Sequence, residues 1–291
     1  MSTQNKYDLV LIGNLIVDQI YCVNNWHKQG TSNNLYCQYR AVGGLGNIIN
    51  IITNKLNIFV EGVIGNDDNG EFIKEYLKPT KHFLHTLNGQ TSTALIVSNL
   101  EKGERTSFVN WGVGENKFAP TPYTSSWTHI SYLDIIPNLD IKKIRKTSNI
   151  VSADLCLHNP TNLIKNKVLS QLQYLDYLII SKTELFSYLN IEISNISKYK
   201  LKHLVVHCKE WTHILENNTY DKIINKNKIL ENINVLGAGD TYCANFILYQ
   251  LTKEKNSTML PSGRTTNTTA AEWAHNQTTD FLKKRKTIPT L

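Results

Sequence analysis

The sequence predicts a single α/β domain, a mainly parallel sheet with helices on both faces and a small β-structured lid over one edge. Three observations lead there. Short apolar runs at Leu9 to Ile12, Ile58 to Ile64, Ile150 to Ala153, Leu175 to Ile180 and Leu204 to Cys208 are continuous rather than alternating, the pattern of strands covered on both faces. Amphipathic stretches lie between them. Asn47 to Leu56 puts Ile48, Ile51, Ile52 and Leu56 on one side, and Glu71 to Leu77 follows the turn Asn66-Asp67-Asp68-Asn69-Gly70. Two segments break this rhythm: Tyr21 to Arg40, entered from about residue 14, and Thr91 to Asn110, which reads as strand, turn at Glu101 to Gly103 and second strand. These segments, about 14–40 and 91–110, are the predicted lid.

A length of 291 residues with no long Pro, Gly or Ser linker favours one domain spanning 1–291. No internal repeat is visible, and the mildly low-complexity stretch Ser262 to Ala271 reads as a loop into the last helix. Hydrophobic residues make up 41% and charged residues 19% of the chain, an ordinary globular balance. The formal net charge is +7, with a cluster at Lys283, Lys284, Arg285 and Lys286 that reads as the solvated end of a helix. No basic face interleaved with aromatics accompanies it, so no nucleic-acid partner is expected, while anionic small molecules such as nucleotides remain compatible. The five cysteines, at 22, 37, 156, 208 and 243, are widely spaced without a Cys-x-x-Cys pair. That indicates neither a disulfide framework nor a structural zinc site and favours a reducing compartment. Met1 to Lys6 lacks the basic-then-apolar pattern of a secretory signal, and no apolar run reaches the roughly 18 residues of a membrane span. A cytoplasmic protein without a membrane partner is expected.

The chemistry centres on Asn234-Val235-Leu236-Gly237-Ala238-Gly239-Asp240-Thr241, followed by Ala244, Ile247, Leu248 and Leu251 at helical spacing. A glycine-rich turn that opens a helix aims free N–H groups, at the positive end of the helix dipole, toward a phosphate above it. Phosphoryl transfer asks mainly for positioning and charge stabilisation, so such a nest beside one carboxylate supplies much of the protein's part. Asp240 is that carboxylate, placed to take the proton of an acceptor hydroxyl. Alone, Gly-Ala-Gly-Asp also fits a tight turn with an Asp N-cap. The Walker A pattern is absent.

Gly237-Ala238-Gly239-Asp240-Thr241 resembles the second signature of the ribokinase-like (PfkB-type) carbohydrate kinases. Gly43-Gly44-Leu45-Gly46-Asn47 and Gly62-Val63-Ile64-Gly65-Asn66-Asp67-Asp68-Asn69-Gly70 resemble the N-terminal signature of that family. Weaker echoes follow in order at Val10 to Asp18, Gly103-Glu104-Arg105-Thr106, Asp154, Glu184 and Ala274-His275. The resemblance implies a Rossmann-like sheet with a β lid, ATP as phosphoryl donor, and Mg²⁺ bridging its phosphates. It implies Asp240 as base, with Gly237, Ala238 and Gly239 as the anion hole. Asn14, Asp18, Gly43, Gly44 and Asn47 would hold a small-molecule sugar or nucleoside, and Ser181, Glu184, His207, Lys209 and His275 would line the nucleotide. Glu184 would assist the metal indirectly. Read alone, Ser181-Lys182-Thr183-Glu184 is more often a helix capping box.

The sequence departs from the pattern in several places. Ser181 stands where the family has Asn, and His207-Cys208-Lys209-Glu210-Trp211-Thr212 replaces a Thr and a glycine-rich turn. Asn234, Leu45, Ile49 and Asn57 also differ from the usual residues. His203 and His207 share one face of a strand without a third ligand, so the histidines offer no rival metal chemistry, and Gly-x-Ser-x-Gly is absent. The expectation is an ATP-dependent kinase for a hydroxyl of a sugar, sugar phosphate or nucleoside. The altered 207–212 segment motivates the alternative of a non-catalytic sugar- or nucleotide-binding regulatory protein on the same fold. Should the lid present an exposed apolar strand face, pairing of two lids into a homodimer would cover it.

Overall fold

The structure, a computed structural model, describes residues 7–26, 30, 32, 34–115, 119–157, 159–189, 199–216, 219–227, 230, 235–255 and 266–286. The chain runs β1 (Tyr7–Val23), β2 (Cys37–Gly44), α1 (Leu45–Ile52), β3 (Ile58–Gly65), α2 (Asp68–Leu77), β4 (His82–Leu87), β5 (Thr93–Asn99), β6 (Arg105–Asn110) and β7 (Ser125–Ser131). It continues with α3 (Ile141–Ile144), β8 (Ser148–Ala153), α4 (Asn162–Gln171), β9 (Tyr177–Ser181), α5 (Lys182–Leu189), β10 (His203–His207), β11 (Trp211–Glu216), β12 (Thr219–Ile224), α6 (Ala238–Lys255) and α7 (Thr266–Lys286).

The main sheet has the order β12-β11-β10-β9-β8-β7-β1-β3-β4. Its strands are parallel from β4 to β10, and β11 and β12 add an antiparallel edge. The continuous apolar runs are explained by burial on both sides. Leu9, Leu11, Val60, Trp127, Ile179 and Val205 pack with α1, α2, α6 and α7 on one face. Val10, Ile12, Ile130, Val151, Leu178 and Val206 pack with α3, α4 and α5 on the other.

β1 is long because it serves two sheets. Residues 9–14 pair with β3 and β7 in the main sheet. From Leu15 onward β1 pairs with β2, and from Val17 with β5, which in turn pairs with β6. The resulting lid has the order β2-β1-β5-β6 and spans more than the sequence suggests, since β2 runs on to Gly44. The register puts Asp18, Ala41, Ala94 and Val109 on one lid face, with Cys22, Ser98 and Arg105 further along it. The opposite face carries Leu95 and the 63%-exposed Phe108 as neighbours, the apolar strand surface on which the expectation of lid pairing was conditioned.

Several sequence-based boundaries shift. α1 covers Leu45–Ile52 rather than Asn47 to Leu56. Thr53 is extended, its hydroxyl donates to Ile49 O at 2.7 Å, and Asn54 at φ +70° turns the chain out of the helix. Thr266 to Ala271, expected as loop, is the first part of α7, where Ala270 and Ala271 are buried in the core. Ser262 to Gly263 and the rest of that stretch before 266 lie outside the described residues, as does Asn234. β7 was not anticipated although it lies beside β1 at the centre of the sheet. Its Ser125, Thr128, His129 and Ser131 interrupt the apolar run, and the buried hydroxyls of Ser125, Thr128 and Ser148 satisfy one another at 2.6–3.0 Å. Among the described residues, no helix is long and apolar enough to cross a membrane.

Ile48, fully buried between α1 and the sheet, and Leu163, 65% exposed on α4, set opposite expectations. Ile48→Ala should lower unfolding free energy by about 2–5 kcal/mol through lost burial and a cavity, whereas Leu163→Ala should stay within about 0.5 kcal/mol. Urea denaturation of both variants checks the pair.

Candidate active site

The carboxyl ends of the parallel strands form the floor of a cleft roofed by the lid, the place where open α/β sheets bind ligands. α6 starts there. Gly237, at φ +73°, makes the turn into the helix, and a side chain on it would also press on Asn47, 3.2 Å away. Ala238 N–H donates to Val235 O at 3.0 Å, and Thr241 N–H makes the first full helical bond, to Gly237 O at 2.9 Å. The first-turn amides of Gly239 and Asp240 therefore have no partner within the helix.

Asp240 sits beside them. Asn47, from α1, donates its Nδ2 to Asp240 Oδ2 at 2.7 Å, so the two glycine-rich segments, 193 residues apart, meet at the carboxylate. Asp240 keeps some solvent exposure but lies deep among protein atoms. That burial, reinforced by Asp154 and Asp18 and offset by Asn47 and Arg105, pushes its pKa up from 3.8 to about 7. Arg105, on the cleft-facing side of β6, is the lid's cation in that balance.

Asp18 is buried on the inner lid face, and its carboxylate lies against Gly43 so closely that a Cβ there would collide with it. Asn14, 2% exposed where β1 leaves the main sheet, accepts from Ser92 Oγ at 2.9 Å, while its Nδ2 donor finds no partner. An unmet buried donor costs on the order of 1–3 kcal/mol, so a hydroxyl-rich ligand or a water fits there. Tyr132, at φ +58°, packs its ring against Gly44 and, edge-on, Trp111. Burial first, then the charges of Asp240, Cys156, Asp154 and Asp18, hold the Tyr132 hydroxyl well above its ordinary pKa.

At the start of α5, Ser181 and Glu184 form a reciprocal cap: Ser181 N–H donates to Glu184 Oε2 at 2.7 Å, and Glu184 N–H to Ser181 Oγ at 3.2 Å. The helix-capping reading of this segment thus holds. Burial, with Asp154 and Asp134 nearby, pushes Glu184 up to about 8. Asp134 is itself buried and accepts from Tyr188 Oη (2.6 Å), Leu157 N–H (2.7 Å) and Cys156 N–H (3.0 Å).

On the far side of α6, His207 stacks on Tyr242 with centroids 4.4 Å apart and lies beneath Gly239. His275 pairs with Thr212 Oγ1 at 2.8 Å, and Thr212 with Tyr242 Oη at 2.9 Å. Burial, and for His207 the neighbouring His275 as well, lowers these imidazoles to about 3 and about 4, so both are neutral at physiological pH. Lys209 stands apart: it is exposed and pairs with Glu210 at 3.5 Å. Trp211 stacks on His213, with the Lys182 Nζ 5.8 Å from its ring centroid.

No family model and no curated protein matches the chain by sequence. Solved structures do match by shape. Ribokinase from Giardia lamblia aligns with 95% of this chain and 99% of its own at a TM-score of 0.75 and 17% identity. The chain has the ribokinase-like fold. The nucleoside kinase of Methanocaldococcus jannaschii, an archaeal member of the ribokinase family, aligns with 96% of this chain and 93% of its own at TM-score 0.70 and 18% identity. Arabidopsis thaliana ribokinase, solved with ribose and ATP, covers the same shares at TM-score 0.70 and 16% identity. The ribokinase-like fold thus extends over nearly the whole of this chain.

Asn14, Asp18, Gly43, Gly44, Asn47 and Asp240 come together in this cleft, with Ser181 and Glu184 at the end of β9 beyond Asp154. His207 and His275 form a separate layer under α6. Tyr132 and Asp134 were missed, because a Tyr and an Asp after an unrecognised strand carry no motif of their own.

Folding raises the Asp240 pKa, so between pH 3.8 and about 7 the native state keeps a proton that the unfolded chain has lost. The group's contribution then turns against folding as pH rises through that window. In the ligand-free protein, the melting temperature of Asp240→Asn relative to wild type should rise between about pH 4 and about pH 7 and level off above about pH 7. A gap that shrinks with rising pH contradicts this assignment.

Proposed function

We propose that the chain is an ATP-dependent phosphotransferase that phosphorylates a hydroxyl of a sugar, sugar phosphate or nucleoside. One observation carries the reading: a carboxylate at the start of α6, hydrogen-bonded by Asn47, beside first-turn amides on a cleft floor under a lid. Asn47 engages Asp240 Oδ2, leaving Oδ1 to accept the acceptor hydroxyl and draw off its proton as the bond to phosphorus forms. The amides of Gly239 and Asp240 hold the transferring phosphate at the positive end of α6, whereas the Ala238 N–H, expected beside them, is taken by Val235 O. Arg105 adds a positive charge from the lid. Asp18 and the orphan Nδ2 of Asn14, with the close backbone of Gly43 and Gly44, bind the remaining hydroxyls of the acceptor. Ser181 and Glu184 lie on the nucleotide side in this reading, with His207 and His275 packed behind the start of α6, while Lys209 is turned to solvent. The acidic floor suits a cation, and Glu184 would hold Mg²⁺ through water. When bound, Mg²⁺ neutralises charge on the phosphates. Lid closure over Asp18 and Asp240 excludes water and limits wasteful hydrolysis.

The deciding measurement is ATP consumption with Mg²⁺ across sugars, sugar phosphates and nucleosides. Asp240→Asn should lower acceptor-dependent turnover on the order of 10²–10⁴-fold while the protein stays folded; a near-wild-type rate would sink the assignment. Gly43→Ala, whose methyl displaces the Asp18 carboxylate, should raise the acceptor KM more than it lowers kcat. The surface ion pair Lys209–Glu210, where a glycine-rich turn is usual, favours a second reading as a binding protein. ATP-induced thermal stabilisation with no transfer to any acceptor would select it.

A further inference from the structure

Beneath the turn that opens α6, three side chains from three elements converge: His129 of β7, Asp154 just after β8 and Cys243 of α6. Their exposures are 0%, 7% and 2%. We propose that they bind a divalent cation of the zinc class, with water as the remaining ligand. This inference does not depend on phosphoryl transfer.

The spacing is the first argument. His129 Nε2 lies 3.3 Å from Asp154 Oδ2 and 3.6 Å from Cys243 Sγ, and all three ligand atoms lie within 4.8 Å of one another. Bonds of about 2.0–2.1 Å to nitrogen and oxygen and about 2.3 Å to sulfur, at tetrahedral angles, place N and O about 3.3 Å apart and N and S about 3.5–3.6 Å apart. As a hydrogen bond, 3.3 Å is long for an imidazole facing a buried carboxylate, where about 2.7–2.9 Å is usual. The two distances are those of two edges of a coordination tetrahedron that share the His129 nitrogen.

The surroundings are the second argument. His129 Nδ1 is held by Ser152 Oγ at 2.8 Å, and that hydroxyl also receives Trp127 Nε1–H at 2.6 Å. Asp154 Oδ1 accepts Tyr132 N–H at 2.6 Å, which leaves Oδ2 turned to the cluster. Such outer contacts orient metal ligands. Asp240 and Glu184 are close enough for their charges to act on Cys243, so the cluster lies in a region that favours a cation. The N, O, S donor set selects a borderline-soft ion over Mg²⁺, which prefers all-oxygen sites. Binding releases the thiol proton to solvent and joins β7, β8 and α6 one helical turn below Asp240. Ligands separated by 25 and 89 residues leave no spacing motif to read in sequence.

Cobalt(II) titration of the metal-stripped full chain tests the proposal. One equivalent should bind with a thiolate-to-cobalt charge-transfer band and the visible bands of tetrahedral cobalt, and zinc should displace it. Zinc should also raise the wild-type melting temperature. Cys243→Ser, nearly isosteric and checked for folding by circular dichroism, should lose the charge-transfer band. Cys22 and Cys37 face one another across β1 and β2 in the lid, so Cys22→Ser is the control and should keep the band. No thiolate band in wild type, a band that survives Cys243→Ser, or one lost in Cys22→Ser overturns the assignment.

Discussion

Like charges gathered on one cleft floor are the constraint that the rest of the site answers. Asp18, Asp134, Asp154, Glu184 and Asp240 all lie at or just under it, and burial leaves little water to screen them. Four of the five are given dedicated donors. Asp134 takes two backbone amides and a tyrosine hydroxyl, Asp154 a backbone amide, Glu184 its own helix cap, and Asp240 the Asn47 amide. Donors satisfy lone pairs without cancelling net charge, so the raised pKa values of Asp240 and Glu184 reflect burial first and the remaining repulsion second. A floor of this kind is costly when empty and complementary to a cation-bearing ligand, which ties its electrostatics to the proposed chemistry.

Positioning comes from β1. One strand contributes Asn14 at the end of its main-sheet pairing and Asp18 four residues later inside the lid, both on one face. The lid and the floor are thereby in register through a continuous backbone. Gly43 returns on β2 to lie against Asp18, and the chain then enters α1, which delivers Asn47 to Asp240. Any shift of the lid relative to the floor is therefore felt by Asp18 before it reaches the buried contacts of α1 with α6.

Much of this was legible in the sequence where chemistry and local structure share a segment. Gly237 to Asp240 is both a turn with a positive φ and the site's carboxylate, and Gly43 to Asn47 is both a close approach and a hydrogen-bond donor. Buried parallel strands announced themselves through unbroken apolar runs. β7 did not, because its core is held by a hydroxyl network instead of side-chain area alone, and a run containing Ser125, Thr128, His129 and Ser131 has no apolar period to detect. Tyr132 and Asp134 were hidden with it. The start of α7 was hidden for a similar reason: Thr266 to Thr269 have weak helix propensity, and packing of Ala270, Ala271 and Ala274 against α6 decides the helix.

The 207–212 segment shows how a departure from a family pattern can be structurally complete. Where a flexible glycine turn would leave open backbone, this chain places a neutral, tightly bonded layer: His207 on Tyr242, Tyr242 and His275 on Thr212. Both imidazoles are held unprotonated by burial, so the layer offers flat π faces in place of charge. Lys209, the segment's one cation before the next strand, is turned to solvent with Glu210. In the proposed reading, phosphate recognition is left to the α6 amides and Arg105, while the region below Gly239 is filled by packing. The substitutions at 207–212 thus fill the space behind the start of α6, with His207 reaching Gly239, and leave the Asn47–Asp240 hydrogen bond on the other side of the turn.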